Sequence, residues 1–229
     1  MPDTNYGEDT VGRTARTVVP GLPHHVTQHG NRNAAVFEDD GDRGVYIAML
    51  RRSASRNGVE IWSYCLMTNH VHFVAVPNSE KGLTGAFHDA HSAYSNWFNR
   101  KTGIAGSLWR GRFYSCVMDE PHLWAAVRYV ERNPVPAGLV QRAEEYPWSS
   151  APARPGLRTD PLLSGAFPFP GVVADWRAWL ADEDVNMSNA IRRNTLLGLP
   201  CGSPEFTHEL ESRFGRLLRH KKAGRPRAK

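Results

Sequence analysis

Cysteine is scarce in this chain: Cys65, Cys116 and Cys201 are the three present among 229 residues, and no two of them form a C-x-x-C pair. An odd, scattered set of that kind rules out both a disulfide framework and a zinc knuckle. Long apolar runs are also missing. The N-terminal stretch is polar and lacks the apolar centre of a signal peptide, and no later run approaches the roughly 20 residues that a membrane-spanning helix needs. The expectation is a cytoplasmic protein with no membrane partner. No internal repeat and no heptad array is present, which excludes solenoids and coiled coils. Acidic residues are absent from 213–229, a stretch that holds Arg213, Arg216, Arg219, Lys221, Lys222, Arg225, Arg227 and Lys229. In a chain of formal net charge +5, that density suits a polyanion such as nucleic acid, a merely solubilising tail being the plainer alternative.

The length suffices for one well-buried domain with material left over for an appendage. Residues 1–19 read as a disordered N-terminus. Residues 23–31 read as a strand ending in a Gly-Asn turn, and 42–56 as a helix closed by Asn57-Gly58. The β-forming run 59–66 and the run 69–76 lie close enough to form an antiparallel hairpin. A helix over 82–100 aligns Leu83, Phe87, Tyr94, Trp97 and Phe98. After a short strand at 113–118, Asp119-Glu120-Pro121 opens a helix that Pro134 ends at Asn133. The order β-α-β-β-α-β-α predicts an α+β fold, a ferredoxin-like antiparallel sheet with helices on one face, over 20–150. A Pro/Gly-rich linker (151–172) leads to a small α-helical C-terminal extension (173–220), with helices expected at 175–181, 185–197 and 204–220, and then to a basic tail (221–229).

Two patterns carry chemistry. His70 and His72 flank one valine inside a strand-like run, and period-2 alternation presents both imidazoles to one metal ion or one phosphate; the plainer reading has one half-buried and the other facing solvent. In the helix before Pro134, Tyr129 and Asn133 stand at i and i+4 on one face. Packing of the tyrosine on the sheet, and capping of the helix end by Asn133, are the structural alternatives. Glu131 and Arg128 point to other faces and read as surface or phosphate-contacting residues. Cys65 reads as a small buried residue.

These residues sit in a recognisable order: HHVTQHGNRN (24–33), YCLMTNHVHFVAVP (64–77), YSNWFNRKTGIAGSLWRGRFYSCVMD (94–119), RYVERNPVPAGLV (128–140) and YPWSS (146–150). The combination resembles the single-tyrosine HUH transposases, most closely the REP-associated tyrosine transposases. One departure is His29, where such proteins usually have arginine. The resemblance implies an HUH endonuclease domain in which His70, His72 and Asn133 hold Mg²⁺ or Mn²⁺. It also implies that Tyr129 is the nucleophile, attacking single-stranded DNA at hairpins formed by palindromic repeats through a 5′-phosphotyrosyl intermediate, in transposition or repeat mobilisation. A domesticated hairpin-binding protein that no longer cuts is the alternative. The enzyme is expected to be nucleoid-associated, as a monomer or a homodimer.

DNA contacts are expected from Trp109, Arg110 and Arg112, which join guanidiniums to an aromatic ring in the composition that binds single strands. Core packing of Trp109 is the alternative there. Arg32, in the polar turn after the first strand, is a further candidate, as are Arg225 and Arg227 in a Gly-Arg-Pro segment suited to a narrow minor groove.

Overall fold

Every residue of strand β3 (His70–Pro77) is buried, so the sheet that contains it needs cover on both faces. In this computed structural model, which describes residues 16–165, 167, 173–182 and 184–219, β3 pairs antiparallel with β1 (His24–His29) and β2 (Val59–Leu66), and β4 (Tyr114–Val117) pairs antiparallel with β1. The order β2-β3-β1-β4 is that of the expected ferredoxin-like sheet.

Alternation divides the strands. Val71, Phe73 and Ala75 face helices α1 (Asp40–Arg56) and α2 (Gly82–Thr102), where Tyr46, Leu50, Leu83, Phe87 and Tyr94 complete an apolar core. These two crossover helices occupy one face, as expected. The opposite face is covered as well: Cys65, Val74, Cys116 and Met118 pack with Leu123, Ala126, Val127 and Val130 of α3 (Glu120–Arg132) and with Ile191 of α5 (Val185–Leu197). The helices therefore lie on both faces.

Several boundaries are shifted for local reasons. Helix α1 starts at Asp40 rather than 42, because Asp39 and Asp42 form a reciprocal capping box. Helix α3 starts where expected, with the Asp119 carboxylate accepting from the His122 N–H and Pro121 in the first turn. The last helix, α6 (Pro204–Phe214), stops short of 220 because Gly215 takes a left-handed φ of +61°.

The described residues of 173–219 do not stand apart as an appendage. Thr195 and Ile191 of α5 are buried against the sheet, the Cys201 N–H donates to the Val117 carbonyl (2.9 Å), and Leu210 of α6 packs with Val19, Val117 and Leu218. The proline-rich stretch is equally engaged: the Ser164 N–H donates to the Ile61 carbonyl (2.8 Å) and the Tyr64 hydroxyl donates to Asp160 (2.6 Å). Helix α4 (Trp176–Ala181) follows it. At the other end, Thr17, Val18 and Val19 are buried, so order begins before residue 20. Residues 1–15 and the tail, with Arg225 and Arg227, lie outside the described residues.

Two buried histidines make the fold acid-sensitive. The His24 Nε2 accepts from the Val19 N–H (3.2 Å) while its Nδ1–H donates to the Leu22 carbonyl (2.8 Å), and burial lowers its pKa to about 4. His91, hydrogen-bonded to the Tyr46 hydroxyl (2.9 Å) and stacked on Trp109, is lowered to about 3, by burial first and His88 second. Both are neutral in the fold at pH 7, whereas in the unfolded chain they protonate near the ordinary histidine value of 6.5. The unfolded state therefore binds more protons below that pH, and each histidine weakens the fold by up to about 1.4 kcal/mol per pH unit on acidification. The urea midpoint should hold steady above pH 7 and fall between pH 6.5 and 4. An unchanged midpoint at pH 5 would show that these two imidazoles are not buried neutral.

Candidate active site

The register of β1 against β3 sets Thr27 opposite His72 and His29 opposite His70. Directly opposed residues share a face, so His25, Thr27 and His29 project to the same side as His70 and His72. The rings stack in pairs: His29 on His70 with centroids 4.8 Å apart, His25 on His72 at 5.2 Å, and His70 edge-on to His72 at 4.9 Å. Period-2 reasoning finds His70 and His72. It does not find His25 and His29, because nothing local reveals which strand lies beside β3.

Helix α3 lays Tyr129 over this group. Its ring is edge-on to His72 at 5.4 Å and to His25 at 5.6 Å, all within one chain. What holds α3 there is Glu131, whose side chain is fully buried. One carboxylate oxygen accepts from Ser150 Oγ (2.6 Å), Ser63 Oγ (3.3 Å) and Arg154 Nε (3.3 Å), and the other accepts from Trp176 Nε1 (2.8 Å). A bulge in β2 between Ile61 and Ser63 lies where Ser63 meets this group. Arg154 also donates to the Trp62 carbonyl. The expectation that Glu131 is a surface or phosphate-contacting residue is thus corrected: it is an internal anchor, with partners too distant in sequence for helical spacing to reveal. Arg128 holds α4 by bonding Asp182 (3.3 Å) and lying 4.4 Å from the Trp179 ring.

The electrostatics favour a neutral His72. Burial holds His72 well below the usual histidine range, helped by His70, His25, His29 and Arg192. The Asn69 amide nitrogen donates to the Asn33 carbonyl (3.4 Å), which turns its oxygen to accept from the His70 Nδ1–H (2.7 Å). His70 therefore keeps the lone pair on Nε2. Two imidazole nitrogens side by side suit a divalent cation that completes its sphere with oxygen ligands. Among the described residues, no group of three or more His, Cys, Asp or Glu is arranged to hold a metal ion. Asn133 stands one turn beyond Tyr129 as the C-cap residue of α3, its backbone N–H directed at the Val130 carbonyl (3.4 Å). From α5, the Arg192 guanidinium lies 5.7 Å from the Tyr129 ring.

A basic rim borders one end of the site. The Arg110 N–H donates to the His29 carbonyl (2.8 Å), the Gln28 amide to the Gly111 carbonyl (3.1 Å), and the Asn31 N–H to the Leu108 carbonyl (2.8 Å). The loops carrying Arg32, Arg110 and Arg112 are thereby joined where β1 ends and β3 begins, and all three arginines are exposed. Gly30 is required at this junction, since a Cβ there would lie 2.2 Å from the Ala34 carbonyl oxygen. Trp109 needs correction: its ring is buried, stacked on His91 at 4.5 Å and packed by Tyr46 and Tyr94, so it presents no face to a base. Core formation outcompetes exposure for the largest apolar side chain of that loop.

A profile of the family described as "Transposase IS200 like" matches residues 18–133. Among solved structures, a REP-associated tyrosine transposase bound to a REP hairpin is similar at 15% identity and a TM-score of 0.53, over 69% of this chain and 94% of that one. At that identity the likeness bears on the fold. A crystal structure of a candidate transposase from Deinococcus radiodurans R1 is 22% identical over 47% of this chain and 87% of that one, with a TM-score of 0.34. No curated protein matches the chain.

The anchor role of Glu131 is measurable. Glu131→Ala removes the charge partner of the largely buried Arg154 side chain and should destabilise the protein by about 3–5 kcal/mol in urea unfolding. A loss under about 1 kcal/mol, the range of exposed ion pairs, would rule out the anchor.

Proposed function

The chain belongs to the IS200-like transposase family, and we propose that it is a metal-dependent single-stranded DNA endonuclease and strand transferase acting at REP-like hairpins. The observation that carries the reading is Tyr129 poised edge-on over His72, with His70 beside it, in a single chain. That arrangement supports a site completed within one protomer.

In the proposed reaction the Tyr129 Oη attacks the scissile phosphorus. The phosphorus–O3′ bond breaks, the leaving oxygen takes up a proton to become a 3′-OH, and the 5′-phosphate stays on the tyrosine. The phosphotyrosyl ester conserves the bond energy, so a 3′-OH of another strand end can reverse the step and rejoin DNA. Arg192, close to the phenol ring, would place positive charge beside the phosphate that the phenol attacks. His70 and His72 would hold Mg²⁺ or Mn²⁺, with Asn133 supplying an amide oxygen. A cation held there would supply Lewis-acid polarisation of the phosphoryl oxygens.

Arg110 and Arg112, with Arg32 across the junction, would take the strand's phosphates as it leaves the site. The fold shared with a transposase solved on a REP hairpin supports a hairpin partner, and Arg225 and Arg227 of the tail would add a second, minor-groove hold. No described helix is long and apolar enough to cross a membrane, which is consistent with work at the nucleoid.

Labelled hairpin-bearing single strands, drawn from repeats flanking the native gene, should give a covalent adduct on denaturing gels with Mn²⁺ or Mg²⁺. The adduct should vanish in EDTA and in Tyr129→Phe, with binding kept. Adduct formation by Tyr129→Phe would falsify the nucleophile, while tight binding with no adduct from the wild type would favour the non-cleaving hairpin binder. Replacing Arg110 or Arg112 by Ala should flatten the log–log salt dependence of binding by about 0.7 per lost phosphate contact; an unchanged slope would remove that arginine from the DNA path.

A further inference from the structure

Behind His72 runs a line of hydrogen bonds that the chemistry above does not use. His72 Nδ1 lies 3.1 Å from His25 Nε2, His25 Nδ1 lies 2.7 Å from Thr195 Oγ1, and Thr195 Oγ1 lies 2.7 Å from the Ile191 carbonyl oxygen. His72, His25 and Thr195 are all at least nine-tenths buried, so each polar atom must be answered inside the protein.

The direction of the line follows from its end. A carbonyl oxygen accepts and never donates, so Thr195 gives its single hydroxyl proton to Ile191. Its oxygen then accepts from His25, which must carry its proton on Nδ1 and leave Nε2 as the acceptor. His72 in turn donates from Nδ1, and its lone pair is left on Nε2. Cys116 Sγ lies 3.1 Å from Thr195 Oγ1 and 3.7 Å from Cys201 Sγ, and as a thiol it gives its one proton to either without taking the proton that Thr195 directs at Ile191. Reversed, the line would place a proton on His72 Nε2 and abolish that nitrogen as a ligand.

We propose that Thr195 and His25 are positioning residues that set the tautomer of His72, so that a helix outside the matched family region (residues 18–133) governs whether the sheet histidine can bind a cation. The cation itself rests on the function proposed above; the tautomer does not.

The test uses the full chain as Thr195→Val, which keeps shape and removes the hydroxyl, and Thr195→Ser, which keeps the hydroxyl. Long-range ¹H–¹⁵N correlation spectra of the metal-free protein should show His72 as the Nδ1–H tautomer in the wild type and in Thr195→Ser, and a shift toward Nε2–H in Thr195→Val. Calorimetric Mn²⁺ affinity should fall by about 10- to 100-fold in Thr195→Val and be retained in Thr195→Ser. A purely structural role would lower the melting temperature of Thr195→Val but leave the His72 tautomer unmoved. The proposal is overturned by Nε2–H His72 in the wild type, or by an unchanged tautomer in a folded Thr195→Val. If that variant does not fold, the wild-type spectrum decides. If the wild type binds no Mn²⁺, the metal reading fails while the tautomer comparison still stands or falls by itself.

Discussion

A carboxylate placed where water does not reach has to be met by donors, and in this protein the need of Glu131 organises everything around it. Its four partners come from three separate stretches: Ser63 beside a bulge in β2, Ser150 and Arg154 after helix α3, and Trp176 at the start of α4. Each must arrive for the charge to be tolerated, because burying an ion without partners is among the most expensive changes a fold can make. The result is directional. Glu131 lies two residues beyond Tyr129, so pinning its side chain sets the rotation of α3 about its own axis and thereby aims the tyrosine at the histidines. A purely apolar face would seat the helix on the sheet with more freedom to roll.

The polar site exists because both sheet faces are closed. Were the face bearing His25, His29, His70 and His72 open to water, burial would no longer hold His72 below the usual histidine range. Covered by α3 and α5, His72 is held neutral, and its hydrogen bond is directed inward to His25, which in turn bonds Thr195. The loops at the end of β1 and the start of β3 stay outside that cover, and there the arginines gather. A neutral His72 within and positive charge at the rim fit the anionic strand proposed to leave across those arginines.

Residues 18–133, the part matching the family, contain the groups proposed to do chemistry. The remaining described chain supplies much of their support. Arg154 and Trp176 brace Glu131, Arg192 approaches the phenol ring, and Thr195 closes the hydrogen-bond line from His72. A stretch whose composition suggests a linker thus works as a strap, because Leu162 and Ser164 find partners on β2 and in the adjoining core.

Sequence by itself determined the features that depend on short-range periodicity. The alternation of a strand places His70 and His72 on one face, the helical repeat places Tyr129 and Asn133 on another, and the succession of strands and helices restricts the sheet to few topologies. Cap chemistry sets the start of α3 at Asp119, and the true limits of α1 and α6 depend on the Asp39–Asp42 box and on Gly215. Tertiary structure alone decided that His25 joins the site, that Trp109 turns inward, that Glu131 is an anchor and that Thr195 stands behind His72. His25 and Thr195 are 170 positions apart, and Ser63 and Glu131 are 68 apart. No local pattern encodes such a contact, because it is selected by which surfaces pack together and which buried polar atoms must then find a partner.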